Sequence, residues 1–482
     1  MIGLEKLVRR KQIISVVCNQ WGDTGKGKIV ELLAAFWADI TGRGTGGNNA
    51  GHTTVVGNQK RIYHLIPSGI VNDRMGKINI LGNGMVIDLA VLCQELDELD
   101  TAGMPYNNLM ISEDAFVTLP FHVKKDKSTT GTQKAGGVGS TGRGIGPCYA
   151  DKVSSRAGIM IRDLFNEDVI AARLKKLGEY HSLLQADKDE VMAYIKKYRE
   201  RVKPFVRDTI SEMQDFIRAG KRILLEGAQG LLLSSEFGTY PYETGSDCSA
   251  NGTATGVGIN ARQIDMVLGI AKFPIMTRVG GGPFPTEFGG KKSEDYCAET
   301  NEDGTPTHPL ITELNEFGIP FEKTSNGIKY DHNHPAILSL INLEDDFKKG
   351  IGLRLAAEEY GATTGRPRRI GRTDLMALKY AVGINGGDLV LTKSDVMQGA
   401  GNFDLCIGYE NLLNFKRDSV ALRAAKPLYR RFEGFTENIS QAGSFDELPD
   451  GLKDSIGYLE GFTLGKSRVI SVGPERSQTI IR

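Results

Sequence analysis

The sequence lacks the marks of several protein classes. Its six cysteines lie far apart and form no Cys-x-x-Cys pair, so neither a zinc site nor a disulfide framework is indicated. It has no apolar run of about 18 residues or more, and no apolar signal-peptide segment near the N-terminus. From these missing features we expect a cytoplasmic protein that does not bind a membrane.

An excess of charge of one sign is missing as well. Lysine plus arginine and aspartate plus glutamate both number 59, whereas nucleic-acid binders usually carry a basic excess, so we expect no nucleic-acid partner. Glycine, in contrast, is abundant, with 59 residues in 482. So much glycine predicts many tight loops, which suits an enzyme that surrounds phosphate groups with its backbone.

The chain opens with an apolar run at 13–18, a glycine-rich loop and a helical pattern at 29–39. This order is typical of a nucleotide-binding α/β unit. Residues 166–219 have the pattern of two or three helices with a break near Pro204. Further apolar runs predict strands at 77–81, 222–225, 266–270, 388–392 and 469–472. The sequence therefore predicts an α/β fold with a mostly parallel sheet.

The glycine-rich loop at 22–28 has the spacing G-x-x-x-x-G-K of a phosphate-binding loop. Its backbone N–H groups can turn toward phosphate oxygens, and Lys28 would neutralise phosphate charge. Ile29 stands where a serine or threonine would hold magnesium. Asp23 would repel phosphate, so its presence indicates that it binds magnesium or takes a proton from a second substrate.

Two later loops carry side chains suited to anions or to acid catalysis. His52 follows small residues at 46–51 and can act as an acid or hydrogen-bond donor near neutral pH. Arg366, Arg368 and Arg369 offer forked donors that match carboxylate and phosphate oxygens. Taken alone, the histidine also fits a structural role, and the arginines also fit a solvated basic loop.

The segment 392–395 directly follows an apolar run and matches T-K-x-D. Asp395 could accept the N1 and N2 hydrogens of guanine, while the stem of Lys393 lies along the ring. A surface charge pair is the alternative. By contrast, the histidines at 331–334 stand two positions apart in a polar stretch, which favours a surface loop over a metal site.

Eleven segments in this order resemble the adenylosuccinate synthetase family. They are 20–28, 49–53, 66–70, 82–88, 140–153, 226–233, 238–244, 277–287, 361–369, 392–395 and 471–476. The resemblance implies a P-loop-NTPase-like central sheet flanked by helices, in a homodimer. It also implies a GTP-dependent ligase of purine biosynthesis that joins L-aspartate to IMP, giving adenylosuccinate, GDP and phosphate.

The resemblance assigns catalytic roles to Asp23, His52, Lys28 and Gln229. Asp23 would remove the N1 proton of IMP so that O6 attacks the γ-phosphoryl of GTP, forming a 6-phosphoryl intermediate. His52 would donate to the developing charge, and the amine of aspartate would then displace phosphate at C6. Mg²⁺ is the expected cofactor, held by Asp23 and the carbonyl of Gly51.

The resemblance also divides the binding residues by substrate. For GTP they are Gly22, Gly25, Lys26, Gly27, Gly51, Thr53, Arg368, Lys393, Asp395, Ser471, Gly473 and Pro474. For IMP they are Asn49, Thr141, Arg156, Gln229, Thr244 and Arg366, with Arg156 reaching across the dimer interface. For aspartate they are Thr363, Thr364, Arg366 and Arg368.

The sequence departs from the family around these residues. The departures are Thr24 for glutamate, Asn48 for histidine, Pro367 within the arginine run, Arg372 for tryptophan, and Gly-Ser-Asp-Cys-Ser at 245–249. We expect a basic lead-in at 1–11 and a single catalytic domain at 12–482, interrupted by an insertion at about 288–356. The insertion would be a lid, an oligomer contact or a tolerated surface loop.

Two alternatives stay open. A phage group of the family joins aspartate to dGMP, and this chain is similar to that group at Thr24, with Asp247 as a possible acceptor for the 2-amino group of GMP or dGMP. Those phage proteins replace the catalytic aspartate, however, whereas Asp23 is present here. A GTP-binding regulatory protein without ligase activity would need only the phosphate loop and the segment 392–395.

Overall fold

The computed structural model describes residues 2–56, 59–129, 139–324, 327–361 and 365–482. Its strands are β1 (Ile13–Cys18), β2 (Ile40–Arg43), β3 (His52–Val56), β4 (Gln59–Tyr63), β5 (Ile78–Leu81), β6 (Val86–Ile87), β7 (Leu109–Ser112), β8 (Phe116–Val117), β9 (Val206–Arg207), β10 (Ile223–Glu226), β11 (Met266–Lys272), β12 (Ile275–Arg278), β13 (Phe321–Thr324), β14 (Gly327–Tyr330), β15 (Arg369–Arg372), β16 (Asp388–Thr392), β17 (Ala400–Tyr409), β18 (Pro427–Phe435), β19 (Lys466–Ser471) and β20 (Thr479–Ile481). Its α-helices are α1 (Ile2–Val8), α2 (Lys26–Phe36), α3 (Leu89–Thr101), α4 (Pro120–Thr129), α5 (Ile145–Val153), α6 (Glu167–His181), α7 (Gln185–Val202), α8 (Thr209–Arg218), α9 (Ala250–Thr255), α10 (Gly290–Ala298), α11 (Leu310–Glu316), α12 (Pro335–Ile341), α13 (Asp346–Ala357), α14 (Leu375–Asn385), α15 (Ser419–Arg423) and α16 (Asp450–Thr463).

Ten of the strands in the described part of the chain form one sheet, in the order β20-β19-β16-β11-β1-β10-β2-β5-β7-β9. All neighbours in this sheet pair in parallel except β19 and β20. Every residue of the central strand β1 is buried, because helices cover both faces of a parallel sheet. The predicted α/β fold with a mostly parallel sheet is confirmed.

The apolar runs correspond to strands β1, β5, β10, β11, β16 and β19, and the stretch 166–219 forms α6, α7 and α8. Helix α2 begins three residues before the predicted 29–39 because Gly25, with a φ of 79°, turns the chain into it. The lead-in 1–11 contains α1, whose Leu4 and Val8 are buried in the same hydrophobic cluster as residues of β1 and α2. The lead-in therefore forms part of the core.

The segment 288–356 contains α10 to α13 and the hairpin of β13 and β14. Its Leu314, Ile337 and Ile351 are buried in the same hydrophobic cluster as Leu389 and Leu391 of β16. A surface loop would not contribute to the core in this way. The segment instead packs against the half of the sheet that contains β16 and β19. Among the described helices, none is long and apolar enough to cross a membrane.

Because Leu314 is fully buried in α11, Leu314→Ala should lower the free energy of unfolding by about 2–5 kcal/mol. Urea unfolding followed by the fluorescence of Trp21 and Trp37, which are both buried, measures this change. The control is Leu413→Ala, at a leucine that is 93% exposed, with an expected change within about 0.5 kcal/mol. Equal stability of the two variants would show that the segment does not contribute to the core.

Candidate active site

The predicted site segments follow strands that end at one edge of the main sheet. The loop 19–25 follows β1, residues 44–51 follow β2, and residues 227–230 follow β10. Residues 393–395 follow β16, and residues 472–474 follow β19. Carboxyl ends of parallel strands meet at the same edge, where ligands of such sheets bind. The topology therefore brings these loops together.

The phosphate loop takes a strained path between β1 and α2. Gly22 has a φ of 87°, and Asp23 has a φ of 47°, which is uncommon for a residue with a side chain. A Cβ at Gly22 would stand 3.1 Å from Cγ2 of Val279. The hydroxyl of Thr392 donates to the carbonyl of Thr24 at 2.9 Å and so ties the loop to the end of β16. Strain of this kind persists where the surroundings enforce it, commonly at functional sites.

Asp23 forms an ion pair with the arginine loop, which is the segment 361–369. Its Oδ2 lies 2.5 Å from a terminal nitrogen of Arg368, and its side chain is 40% exposed. Desolvation in the cleft would raise the pKa of Asp23, but the charges of Arg368, Lys272 and Lys26 outweigh it and lower the pKa. The carboxylate is therefore ionised at neutral pH, and the predicted base stands beside a predicted aspartate ligand.

His52 is held by a carboxylate that the sequence analysis did not single out. Glu226, at the end of β10, is fully buried and bonds to Nδ1 of His52. Glu226 also accepts from the N–H of Ser68 at 2.8 Å and from its hydroxyl at 2.5 Å. Burial lowers the pKa of His52 despite the opposing effect of Glu226. The only sequence signal for this role was an acid directly after an apolar strand.

Three of the predicted IMP-side residues come close together. Asn49 donates from Nδ2 to the hydroxyl of Thr244 at 3.3 Å. A Cβ at Gly46 would stand 3.0 Å from Oε1 of Gln229 and 3.6 Å from Oδ1 of Asn49. Gln229 also has a left-handed backbone, with a φ of 49°, and its carbonyl accepts from Lys26 at 2.7 Å. Asn49, Gln229 and Thr244 thus share one end of the cleft.

The structure changes the expectation for Lys28. Its ammonium donates to Ser471 Oγ and the Gly473 carbonyl, both at 2.8 Å, so it holds the loop after β19 instead of facing the middle of the phosphate loop. Burial lowers its pKa to about 8. Two helical residues separated by one position point roughly 200° apart, so Lys26 and Lys28 diverge. Lys26 is the lysine on the Asp23 side.

The remaining predicted residues have varied surroundings. Lys393, with a φ of 63°, donates to the carbonyl of Ala357 at 2.7 Å. Charge interaction also links Lys28 to Asp395, which places Asp395 on the Ser471 side of the cleft. Five of these predicted positions are exposed at the surface: Gly25, Gly51, Thr141, Arg156 and Pro474. Thr363, Thr364 and the side chain of Thr53 lie outside the described residues, and Arg366 is half-buried.

Several departures from the family have structural partners here. Arg372 is paired with Asp346 of α13 at 2.8 Å, and its guanidinium lies over the ring of Phe288. Asp247 accepts from the backbone and hydroxyl of Ser249, both at 2.9 Å. These bonds hold Asp247 in the turn before α9. Asn48 donates to Asp88 at 3.2 Å.

The chain is similar to known proteins of one family. The family model described as adenylosuccinate synthetase matches residues 15–480. The adenylosuccinate synthetase of Pelobacter propionicus is 37% identical over 486 residues, covering 97% of this chain and 98% of that protein. That of Myxococcus xanthus is 37% identical over 488 residues, with the same coverages.

The chain belongs to the adenylosuccinate synthetase family. The solved structure of fully ligated adenylosuccinate synthetase from Plasmodium falciparum is similar, with a TM-score of 0.77 and 31% identity, covering 98% of this chain and all of that one. Succinoaminodeoxyadenylate synthetase of cyanophage S-2L, solved with dGMP and dATP, has a TM-score of 0.55 and 17% identity, covering 98% of this chain and 95% of that one. The phage likeness shows a shared fold alone.

Membership of the adenylosuccinate synthetase family confirms the predicted class of enzyme, a GTP-dependent ligase that joins aspartate to IMP in purine biosynthesis. The alternative with a guanine monophosphate is less supported, because the enzyme bound to dGMP resembles this chain only in fold. The individual roles of the site residues, the magnesium ion and the dimer stay predictions.

The buried Glu226 predicts a dependence of stability on pH. Its folded pKa of about 2 lies below its ordinary 4.5, so its contribution is complete above pH 4.5 and is lost as the pH falls toward 2. In all, this group should contribute about 3 kcal/mol. Glu226→Gln cannot titrate, and its free energy of unfolding should fall less steeply from about pH 5 to about pH 3 than that of the wild type.

Urea unfolding at several pH values across this range provides the measurement. Glu344→Gln removes an exposed carboxylate and serves as the control, which should keep the slope of the wild type. If Glu226→Gln also kept that slope, the carboxylate would not be ionised in the folded protein.

Proposed function

We propose that the ligation of aspartate to IMP takes place in the cleft where Asp23 meets Arg368. The observation that carries this proposal is their 2.5 Å ion pair, which joins the phosphate loop to the arginine loop. A base for the purine and a forked cation for the carboxylates of aspartate are therefore side by side. Both reaction steps need the purine, the phosphoryl group and the amine within one small volume.

In the first step, Asp23 takes the N1 proton of IMP, and O6 forms a bond to the γ-phosphorus of GTP as GDP leaves. His52, oriented by Glu226, donates to the charge that develops on the phosphoryl group. In the second step, the amine of aspartate forms a bond to C6 as the C6–O6 bond breaks, and the leaving inorganic phosphate takes up the proton that the amine loses. The loop N–H groups and Lys26 neutralise the phosphates.

The substrates are distributed along the cleft. Asn49, Thr141, Gln229 and Thr244 bind IMP, together with Arg366 and, across a homodimer interface, Arg156. Thr363, Thr364, Arg366 and Arg368 bind aspartate. Lys393 and Asp395 read guanine, and Ser471, Gly473 and Pro474 close that pocket. Lys28 stabilises this guanine pocket, because its ammonium donates to Ser471 and Gly473.

Magnesium fits the donors at the mouth of the phosphate loop. Mg²⁺ prefers one or two carboxylates together with substrate phosphates to a cage of protein ligands. Among the described residues, no group of three or more His, Cys, Asp or Glu side chains stands ready for a metal. The carboxylate of Asp23 and the carbonyl of Gly51 are the proposed ligands, and both residues are at least partly exposed. The ion would supply charge neutralisation at the phosphates.

A coupled assay tests the substrate. The protein is given GTP, magnesium and aspartate with IMP, GMP or dGMP in turn, and phosphate release and product mass are followed. Turnover is expected with IMP. Phosphate release only with a guanine monophosphate would overturn the proposal, and release without aspartate would indicate a nucleotide hydrolase.

Replacing the proposed base tests the mechanism. Asp23→Asn should lower kcat/KM for IMP by about 10²- to 10⁴-fold, because proton removal from N1 is lost. The Kd for GTP, measured calorimetrically without magnesium, should change less than about threefold, since the loop N–H groups are kept. Asp454→Asn, at an exposed site on α16, is the control. A rate close to that of the wild type would show that Asp23 is not the base.

A further inference from the structure

A buried ion pair connects two helices of the inserted segment. Glu313 on α11 is fully buried, and Arg354 on α13 is 2% exposed. Nη2 of Arg354 lies 2.9 Å from Oε1 of Glu313, and its Nε lies 3.1 Å from the same oxygen. The hydroxyl of Tyr360, directly before the arginine loop, bonds to the other carboxylate oxygen. The carboxylate of Glu313 thus bonds both to Arg354 of α13 and to Tyr360, next to the arginine loop.

The arginine loop closes on itself at a narrow neck, formed by residues 359–361 and 366–368. The N–H of Arg368 donates to the carbonyl of Glu359 at 2.9 Å, and the N–H of Gly361 donates to the carbonyl of Arg366 at 2.7 Å. Arg354 adds a further bond, from Nη1 to the carbonyl of Arg368 at 2.9 Å. The backbone of Arg368 is therefore fixed from within the inserted segment.

A second buried ion pair holds the other strand of the neck. Nζ of Lys272, at the end of β11, lies 2.6 Å from Oε2 of Glu359. The neck is therefore held on one side by Lys272 of the main sheet, which pairs with Glu359, and on the other by Arg354 of α13, which bonds to the backbone of Arg368. From this fixed neck the side chain of Arg368 reaches Asp23. A chain of contacts runs from Glu313 through Arg354 and Arg368 to the proposed base.

We propose that Glu313 is a positioning residue for aspartate, which acts by holding Arg354 against the backbone of Arg368. The inserted segment then supports the substrate loop, and it is neither a lid nor a dispensable surface loop. This inference rests on the proposed function, because it needs Arg368 to bind aspartate. Rigid placement matters here, since a forked guanidinium binds a carboxylate well only in the correct orientation.

The first test is Glu313→Gln in the full chain. The amide keeps the shape of Glu313 but lacks the charge that orients Arg354. The bond from Arg354 to the carbonyl of Arg368 should therefore weaken, and Arg368 should be held less rigidly. KM for aspartate should rise about tenfold or more, while KM for IMP should change less than about twofold. The control is Glu316→Gln, an exposed glutamate on the same helix, for which both constants should match the wild type.

A second variant separates positioning from folding. In Glu313→Leu with Arg354→Met, an apolar pair replaces the buried ions, a change that proteins commonly tolerate. This variant should fold, yet its KM for aspartate should still rise about tenfold, because the bond to the Arg368 carbonyl is lost. A purely structural pair would lower Tm in Glu313→Gln and leave KM for aspartate unchanged in both variants.

The outcomes distinguish this inference from the proposed function. Turnover of IMP by the wild type, with an unchanged KM for aspartate in both variants, would overturn the positioning role alone. Lack of turnover of IMP by the wild type would overturn both. A rise in KM for aspartate confined to the two variants, with Glu316→Gln unaffected, supports the inference.

Discussion

The shared edge at which β16, β11, β1, β10 and β2 end is the constraint on which the site depends. Strands of a parallel sheet run in one direction, so the loops that follow them emerge side by side even when their sequences are hundreds of residues apart. Backbone N–H groups in the loop after β1 can face a phosphate only because the strand and α2 are fixed by packing. The fold therefore supplies the placement, and the loops supply the chemistry.

Ionisable side chains in the cleft are paired with one another within the protein. Asp23 is paired with Arg368, Lys272 with Glu359, and His52 with Glu226. Each pair joins two different loops or strand ends, so the pairs also hold the cleft in shape. The pair of Asp23 and Arg368 differs from the other two because it is partly exposed and lies where both partners are expected to meet substrates.

Much of the fold could be predicted because buried parallel strands appear in the sequence as continuous apolar runs. The segment with Asp395 was identifiable because it follows such a run, and His52 was identifiable because it follows the small residues at 46–51. The role of Glu226 was not, since its partners His52 and Ser68 come from a distant part of the chain. The direction in which the side chain of Lys28 points depends on the residue at which α2 begins, and the spacing of the glycines and lysines does not specify that residue. The contribution of the segment 288–356 to the core was not predicted, because the segment is mostly polar and its buried Leu314, Ile337 and Ile351 stand apart in sequence.

That buried pair also limits how this chain can be recombined with its relatives. A buried guanidinium without its carboxylate is costly, so α11 and α13 must be inherited together, although forty residues lie between Glu313 and Arg354 in the sequence. A chimera that takes α11 from one protein and α13 from another would separate the two residues unless both were carried over together. Crossover points that respect the pair lie before α10 or after β15, outside the stretch that the two residues span.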